Sequence, residues 1–331
     1  MSRIRIVIVS PALADANNGN WQTARRWQRL LSGRHSARIV RDWTAGECGN
    51  GVNGCVDQVM LALHARRSAG AIEAWVRAHA GRGLAVVMTG TDLYRDISID
   101  ARARQSLVLA QRIVVLQPEG IGALPADMRA KATVIFQSTS ERRTLPKSAR
   151  QLKVVMVGHL RDEKDPLTLM AAARALRDEP GIAIDHIGAP LDPELGRAAQ
   201  DTAAACPRYR WLGGLPHEAT RRHIQRAHLL VNASRMEGGA HVVMEAVRSG
   251  TPVLASRISG NVGMLGDDYD GYFELGDSDG LAALLRRCRS EQALPEPSRL
   301  LTRLRAQCAR RASLFSPDGE RAALLGLVDS L

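Results

Sequence analysis

The chain has 331 residues, of which 45% are hydrophobic and 4% are aromatic, and its formal net charge is +11. This length is comfortable for two domains. The positive charge favours anionic partners such as phosphates, nucleic acid or anionic lipid. However, Lys and Arg are spread along the whole chain, and no basic run with interleaved aromatics occurs. We therefore interpret the charge as a solvated basic surface and expect no nucleic-acid partner.

Cysteine usage and hydropathy indicate a cytoplasmic protein. The cysteines are odd in number and show neither a zinc-ligand spacing nor a disulfide framework, as in a reducing compartment. They are Cys48, Cys55, Cys206, Cys288 and Cys308. No run approaches the roughly 18 apolar residues that a membrane span needs. The short apolar run near the N-terminus is broken by Pro11 and Asp15 and predicts a first β-strand rather than a signal peptide.

The first half of the chain alternates short β-branched runs with helical patterns. The strand-like runs are IRIVIVS (4–10), ARIVRDW (37–43), LAVVMTG (84–90), RIVVLQ (112–117) and TVIFQS (133–138). The helical patterns include WQTARRWQRLLSG and IEAWVRAHAG. This alternation predicts a parallel sheet with crossover helices.

A polar stretch that contains helix breakers, residues 138–151, interrupts the alternation, which then restarts. The strand-like runs after it are LKVVMVG, IAIDHIG, YRWLGG, HLLVNAS and TPVLAS. We predict an N-terminal Rossmann-like domain over residues 1–145, a C-terminal one over 146–315, and a final helix over 316–331 that packs back toward the N-terminal domain. Two such domains facing each other form a cleft, and ligands of these sheets bind at the carboxyl ends of the strands.

Residues 237–253 carry two glutamates eight positions apart around the start of a predicted helix. HLLVNAS predicts a buried strand, RMEGG the loop after it, and AHVVMEAVRS the helix. Gly238 and Gly239 allow the backbone to approach a ligand closely, and a helix N-terminus offers N–H groups and partial positive charge. Taken alone, Glu237 also fits an ordinary acid at a helix start, and Glu245 fits a surface carboxylate.

This stretch resembles the E-x7-E signature of GT-B glycosyltransferases of the family 4 type, and the resemblance covers nearly the whole chain. It implies an α/β GT-B fold, in which two doubly wound Rossmann-like domains face a cleft. It also implies that Glu245 holds the ribose hydroxyls of a UDP-sugar, that Glu237 contacts the donor sugar, and that the amides after Glu237 meet sugar hydroxyls and diphosphate. These amides belong to Gly238, Gly239 and Ala240. His241 is expected either to touch the sugar or to take a capping or packing role.

The segment VGHLRDEKDP, residues 157–166, resembles the G-R-L-x-x-x-K segment of the same family, whose Arg and Lys neutralise the donor diphosphate. Lys164 stands at the lysine position, and the alternative for it is a solvated lysine before a helix. His159 stands at the arginine position, while Arg161 lies two residues further on. The resemblance implies that Lys164 and Arg161 act on the diphosphate. His159 is either a group of the catalytic site or a hydrogen-bonded loop histidine.

Segments of the N-terminal half are similar to one subfamily, the selenosugar synthases of selenoneine biosynthesis. They are NNGNWQTARRWQRLL and MTGTDLYRDI. Members of this subfamily resemble family 4 glycosyltransferases but transfer a sugar from a UDP-sugar to selenophosphate. The similarity implies an anion pocket for selenophosphate in the N-terminal domain. The candidates for it are Gly19, Asn20, Thr89, Gly90, Thr91 and Arg95.

Two further patterns are not assigned a ligand. GNGVNG, residues 49–54, satisfies G-x-G-x-x-G but does not clearly follow a strand and open a helix, so we interpret it as a flexible loop. GDDYDG, residues 266–271, predicts a turn rather than a metal site. GT-B enzymes generally need no metal, because basic side chains and a helix end stabilise the leaving diphosphate. We therefore expect neither a metal nor a cofactor.

The sequence thus predicts a metal-independent glycosyltransferase that forms a selenium–carbon bond between selenophosphate and the sugar of UDP-N-acetylglucosamine or UDP-glucose. A downstream enzyme of the same pathway is an expected partner. The alternatives are a family 4 type transferase acting on a hydroxyl of a small molecule or lipid, a UDP-sugar epimerase on the same fold, and a non-catalytic nucleotide-sugar-binding protein. Retention of both Glu237 and Glu245 argues against the last of these.

Overall fold

The computed structural model describes residues 3–13, 19–45 and 57–331. The chain divides into two compact units. Unit 1 comprises Met1–Ser138 and Pro317–Leu331, and unit 2 comprises Thr139–Ser316. The first boundary predicted from the sequence, after residue 145, therefore lies inside unit 2.

A six-stranded sheet forms the centre of unit 1. Its strands are β1 (Arg5–Val9), β2 (Ser36–Val40), β3 (Val59–Leu63), β4 (Leu84–Val87), β5 (Arg112–Val115) and β6 (Ala132–Val134). They pair in parallel in the order β2-β1-β3-β4-β5-β6. The direction of winding reverses between β1 and β3, and such a reversal point opens a crevice at the carboxyl ends of the strands.

Helices connect the strands of this sheet. They are α1 (Gly19–Leu31), α2 (Ala69–His79), α3 (Ile97–Ile99), α4 (Ala101–Leu109) and α5 (Gly120–Ala123). A π turn over Asp92–Asp96 precedes α3, and a 3-10 turn over Ala126–Lys131 precedes β6.

Both faces of the unit 1 sheet are buried under hydrophobic cores. Successive side chains of a strand point to opposite faces, so neighbouring residues belong to different cores. Val7 belongs to one hydrophobic core, together with Trp75 of α2. The neighbouring Ile8 belongs to the other, together with Trp27 of α1. Cover on both faces is the usual arrangement of an all-parallel sheet, and it explains why these strands read as continuous apolar runs.

A second six-stranded sheet forms the centre of unit 2. Its strands are β7 (Leu152–Val157), β8 (Ile182–Ile187), β9 (Tyr209–Trp211), β10 (Leu229–Asn232), β11 (Val253–Ser256) and β12 (Tyr272–Phe273). The order β12-β11-β10-β7-β8-β9 is that of the dinucleotide-binding Rossmann sheet, and it reverses between β7 and β10. With both sheets parallel, the predicted α/β class with two Rossmann-like domains is confirmed.

Unit 2 alternates these strands with seven helices. They are α6 (Pro166–Ala175), α7 (Pro193–Ala205), α8 (His217–Arg226), α9 (His241–Val247), α10 (Ser259–Leu265), α11 (Ser278–Ser290) and α12 (Leu300–Arg311). The 3-10 turns of this unit cover Asp162–Lys164, Glu291–Ala293, Glu296–Ser298 and Ala312–Phe315.

The last helix, α13 (Pro317–Asp329), belongs to unit 1. Leu324 lies in the core that contains Trp27. Glu320 is only 1% exposed; it accepts a hydrogen bond from Trp27 Nε1 at 2.7 Å and one from Arg26 Nε at 2.8 Å. A buried carboxylate is tolerated only with such partners, so Glu320 fixes the position of α13 against α1.

Residues 139–146 belong to unit 2 because their polar groups bind there. The Arg142 N–H donates to Arg248 O at 2.9 Å. Arg221 Nη2 donates to Ser140 O at 3.0 Å. These bonds link residues far apart in sequence, and composition alone gives no indication of them.

Candidate functional site

The loop after β7 places Lys164 at the point where the unit 2 sheet reverses. Asp165 ends this loop with a left-handed backbone, φ 44°, and α6 follows with Pro166 at its first position. Proline suits that position because its fixed φ is helical and a first-turn N–H has no partner inside the helix. The Asp165 carboxylate accepts from Thr168 Oγ1 at 2.8 Å. This bond ties the turn to the first turn of α6, and Lys164 lies two residues before the helix begins.

The loop after β10 meets the loop after β7 through an ion pair. Lys164 Nζ lies 2.5 Å from Glu237 Oε1, and the Ser234 hydroxyl lies 2.6 Å from the same oxygen. The two charged side chains are 19% and 9% exposed, so their attraction is screened less than at an open surface. The sequence assigned Lys164 to the diphosphate and Glu237 to the sugar, and the structure brings the two side chains together.

Arg235 joins the same two loops and was not singled out from the sequence. Its N–H donates to Glu163 O at 2.9 Å. Its guanidinium lies 3.4 Å from Asp162 Oδ1 and 3.3 Å from Asp165 Oδ1. The available sequence clue was its position two residues before Glu237. Its partners could not be predicted in this way, because they all lie about seventy residues earlier in the chain.

A buried polar network supports the main chain next to Glu237. Asn232 Nδ2 donates to Asn261 Oδ1 at 2.8 Å, and Asn261 Nδ2 donates to Ser256 O at 2.9 Å. Ser256 Oγ donates to Ser234 O at 2.6 Å. All four side chains are at most 2% exposed. Because buried polar groups are costly unless they are paired, this set of bonds favours one backbone path for the loop.

Gly260 of α10 packs against the main chain of Glu237. A Cβ added at this position would overlap the carbonyl oxygen of Glu237 and would lie 2.8 Å from its Cβ. Only a residue without a side chain fits here, so α10 packs directly against the main chain of Glu237 and supports it.

Glu245 of α9 is held by two residues of α8. His217 Nε2 lies 2.7 Å from Glu245 Oε1, and Arg221 Nη1 lies 3.8 Å from the same oxygen. The hydrogen bond to Glu245 raises the pKa of His217, while burial and nearby arginines oppose that shift. Within the described part of the chain, Glu245 Oε2 accepts no hydrogen bond, so the carboxylate is oriented by one oxygen and presents the other.

Arg221 is itself buried, with 2% of its surface exposed. Its Nη1 donates to Thr139 Oγ1 at 2.5 Å, and its Nη2 donates to Ser140 O. Burial lowers the pKa of Arg221, and Glu245 opposes that shift. Neither Arg221 nor His217 was predicted from the sequence. The available clue was the segment LPHEATRRH, in which a proline precedes the histidine that begins α8.

The amides expected to meet a ligand lie just before α9. Gly238 and Gly239 precede the helix, and the first N–H groups of a helix have no partner inside it. The Ala240 N–H differs from the expectation because it donates to Met264 Sδ at 3.1 Å. Sulfur is a weak acceptor, so this amide is engaged with the protein but not strongly. His241 is the first residue of α9 and is half-buried.

His159 and Arg161 lie on the exposed part of the loop after β7. The Ala189 N–H donates to His159 Nδ1 at 3.2 Å. Partial burial lowers the pKa of His159, and the charges of Arg161 and Lys164 lower it further. This lowering of the pKa favours the neutral imidazole over the positive charge of the arginine that the family has there. Arg161 Nε lies 3.9 Å from Glu163 Oε2.

The residues expected to bind the acceptor lie in two places in unit 1. Gly19 and Asn20 open α1 in the described part of the chain, and Thr23 Oγ1 donates to Gly19 O at 2.8 Å. The others follow β4. They are Thr89, Gly90, Thr91 and Arg95.

Asp92 organises the turn after β4. One carboxylate oxygen accepts from the Thr89 N–H at 2.8 Å, and the other accepts from the Ala65 N–H at 3.0 Å. Gly90 has φ 124°, a conformation that side chains disfavour. The loops after β3 and β4 are thus tied by one carboxylate.

His64 follows β3 directly and was missed in the sequence. It is 2% exposed and has φ 73°, which is unusual for a residue other than glycine. Thr91 Oγ1 lies 3.3 Å from its Nε2. Burial lowers the pKa of His64, and Asp92 opposes that shift. A histidine directly after an apolar strand was the sequence clue.

The aspartates of GDDYDG each pair with a different arginine. The pairs are Asp267 with Arg257 at 2.6 Å, Asp268 with Arg310 at 3.9 Å and Asp270 with Arg303 at 3.3 Å. Among the residues that the structure describes, no group of three or more His, Cys, Asp or Glu is arranged to hold a metal ion. GNGVNG lies outside the described residues.

The family described as "Glycosyl transferases group 1" matches residues 137–305, just over half of the chain. This range contains Lys164, Glu237 and Glu245. The chain belongs to this family. Membership of a glycosyltransferase family is thereby confirmed, while the activity and the acceptor of this chain are separate questions.

A relative of this chain is Glycosyltransferase 1 domain-containing protein 1 of Xenopus tropicalis. It is 29% identical over 156 residues, which cover 46% of this chain and 43% of that protein. The match therefore spans less than half of the relative's length.

Solved structures show the same GT-B fold. A glycosyltransferase from Rickettsia africae has a TM-score of 0.75 and 13% identity, covering 99% of this chain and 98% of that one. HepE of Anabaena, solved with UDP and glucose, has a TM-score of 0.72 and 15% identity, covering 99% of this chain and all of that one. At these identities the likeness shows the fold alone. None of the helices that the structure describes is both long and apolar enough to cross a membrane.

Proposed function

We propose that this group 1 glycosyl transferase moves a sugar from UDP-N-acetylglucosamine or UDP-glucose to selenophosphate, as the selenosugar-forming step of selenoneine biosynthesis. The observation that carries the donor assignment is the meeting of Lys164 and Glu237 at the reversal point of the unit 2 sheet. A UDP-sugar is further supported by HepE, which has the same fold and was solved with UDP and glucose. The selenium acceptor rests on the resemblance of the N-terminal segments to selenosugar synthases.

In this proposal the donor is held by side chains of unit 2. Glu245 accepts hydrogen bonds from the ribose hydroxyls, and the contact with His217 sets the plane of its carboxylate. Glu237 accepts from a hydroxyl of the transferred sugar. Lys164, already beside Glu237, neutralises charge on the departing diphosphate, with Arg161 and the amides near Gly238 adding to that stabilisation.

The transfer itself forms one bond and breaks one bond. The selenium of selenophosphate attacks the anomeric carbon, a carbon–selenium bond forms, and the carbon–oxygen bond to UDP breaks with its electron pair staying on UDP. Water then cleaves the phosphorus–selenium bond, which leaves the selenosugar and phosphate. Selenium is a soft, polarisable nucleophile that needs little help from a general base, so the main requirement in unit 1 is a site for the anion, for which Thr91 and Arg95 are candidates.

We further propose that the enzyme is cytoplasmic. We also propose that it works without a metal ion, because Lys164, Arg161 and the start of α9 supply positive charge to the diphosphate. Turnover in excess chelator should equal turnover in its absence. Loss of activity that magnesium or manganese restores would contradict this prediction.

The test of the function is incubation of the protein with each UDP-sugar and selenophosphate, followed by mass spectrometry for the selenium isotope pattern. We expect a selenosugar from the wild type and from Glu194→Gln, an exposed acid of α7 that serves as the control, and far less from Glu237→Gln. If no selenium-containing sugar forms with any donor while UDP-sugar is still consumed with hydroxyl acceptors, the hydroxyl-transferase alternative takes its place.

A further inference from the structure

A buried carboxylate in unit 1 holds two arginines that come from different loops. Asp96, at the end of the π turn after β4, is 2% exposed. Arg66 Nε lies 2.9 Å from Asp96 Oδ2, and Arg95 Nε lies 3.3 Å from Asp96 Oδ1. The two arginine side chains are 42% and 44% exposed. One buried acid therefore contacts the guanidinium groups of both exposed arginines.

The geometry of the guanidinium group determines what these arginines present. Arg66 Nε lies toward Asp96, and the planar guanidinium carries further N–H donors on its two terminal nitrogens. The same carboxylate orients Arg95. A third arginine, Arg67, adjoins Arg66 and is also exposed.

The scaffold under the arginines is built from strained but well-bonded backbone. His64 has φ 73°, and left-handed backbone at such a residue persists only where the surroundings enforce it. Asp92 provides that enforcement by accepting from the N–H groups of Ala65 and Thr89. Thr91 Oγ1, 3.3 Å from His64 Nε2, lies on the same turn.

We infer that Arg66 and Arg95, positioned by Asp96, bind the tetrahedral oxyanion of the acceptor, with the Thr91 hydroxyl as a further donor. Paired arginines with fork-shaped donors match the oxygens of phosphate-type groups. The inference rests on the proposed function in taking an anion as the acceptor, and it extends that proposal to Arg66 and Asp96. Selenophosphate, inorganic phosphate and the phosphate ester of a sugar share this chemistry, and the experiment separates them.

The first experiment measures binding of inorganic phosphate and of thiophosphate to the full-length chain by calorimetry. Wild type should bind both, and Arg66→Gln and Arg95→Gln should each bind roughly tenfold more weakly or worse. The matched control is Arg102→Gln, which removes the same charge from an exposed arginine bound to Glu73 at 3.2 Å. Binding of UDP should be the same in all four proteins.

The second experiment separates positioning from folding. Asp96→Asn keeps the size of the side chain but removes the charge that aligns the arginines, so KM for selenophosphate should rise several-fold while kcat at saturating anion stays near the wild-type value. If Asp96→Asn does not fold, Arg66→Lys tests the geometry of the arginine in its place, because lysine keeps the charge and loses the fork. Its KM for the anion should lie between those of wild type and Arg66→Gln.

The results distinguish this site from the proposed function. Phosphate and thiophosphate binding that depends on Arg66 and Arg95, without any selenosugar, would support the site and remove selenophosphate as its ligand; sugar phosphates are then assayed in its place. Equal anion affinity in wild type, Arg66→Gln and Arg95→Gln would overturn the inference even if selenosugar forms. Failure of the wild type to bind either anion would overturn it as well.

Discussion

Glu237 and Glu245 are both nearly buried acids on one loop–helix segment, yet different groups hold them. Glu237 pairs with a lysine and a serine hydroxyl, whereas Glu245 has a histidine on one oxygen and an arginine at longer range. A lysine ammonium opposite Glu237 suits a position next to a diphosphate. A carboxylate with one bonded and one open oxygen suits a diol. These different partners are consistent with the proposed roles of Glu237 at the sugar and Glu245 at the ribose.

Replacing the two glutamates separately should therefore give different defects. Glu245→Ala should weaken binding of UDP itself, because a lost hydrogen bond to a charged group costs about 1.5–3 kcal/mol. Glu237→Ala should leave UDP affinity nearly unchanged and should mainly impair transfer. Calorimetry with UDP alone separates the two, and an equal loss of UDP affinity in both variants would refute the assignment.

The contact between His217 and Glu245 makes the stability of the protein depend on pH, and the sign of that dependence follows from the raised pKa of His217. Because its pKa is raised in the folded state, the stability that it contributes is fully present below its unfolded pKa and is lost as the pH rises through the folded pKa. Wild type should therefore lose its stability advantage over His217→Gln as the pH rises above about 6.5. The side chain is 64% exposed, so solvent limits the difference to less than about 1 kcal/mol.

Urea unfolding of the wild type and His217→Gln across this pH range measures the effect, since the other histidines are common to both proteins and cancel in the difference. A difference that does not change with pH would show that His217 and Glu245 are not coupled in solution.

At the scale of elements, the donor residues come together through strand order rather than sequence proximity. Lys164 follows β7 and Glu237 follows β10, and these strands are neighbours only because the sheet reverses between them. The motif spacing in the sequence predicted each residue, and the Rossmann order explains why they meet. The order also makes α10, which follows the next strand, the support of the Glu237 loop.

Gly260 of α10 is the most sensitive point of that support. Gly260→Ala would push a methyl group into the Glu237 main chain, so we expect a loss of about 1–3 kcal/mol in stability and a larger fall in transfer than in UDP binding. Gly326→Ala in α13 is the matched control, because nothing lies within 4 Å of a Cβ there and alanine favours a helix. Chemical denaturation and a transfer assay on both variants test this, and a Gly260→Ala enzyme with wild-type activity would contradict it.

For the whole molecule, the sequence predicted two Rossmann-like domains correctly because parallel strands buried on both faces leave a distinct apolar signature. The partners of the site residues were less accessible. Arg235, His217 and Arg221 act on residues that lie far away in sequence, and long-range side-chain contacts leave no periodic pattern. The junction between the units lies at the start of the polar stretch 138–151 that was predicted to join them, and the hydrogen bonds of Ser140 and Arg142 to unit 2 could not be predicted from that stretch.

The C-terminal helix is part of the unit 1 core, and Glu320 is its polar anchor. Besides Trp27 and Arg26, the Ser138 N–H donates to Glu320 Oε2 at 2.8 Å. Glu320→Ala leaves these donors buried and unpaired, so we expect a loss of about 3–5 kcal/mol. Hydrogen exchange should show lost protection in α1 and α13, while an exposed acid such as Glu296 can be replaced without effect. Unchanged exchange in α1 would show that this anchor contributes little.

The division of unit 1 into two separated stretches also affects how the protein is made. Residues 139–316 leave the ribosome before residues 317–331, and unit 2 is continuous, so its whole sheet is available while unit 1 still lacks the helix that covers Trp27. Domains usually mature in the order of their synthesis. Here the half that is translated first is completed last, and its uncovered apolar face is open to chaperones for as long as translation of unit 2 takes.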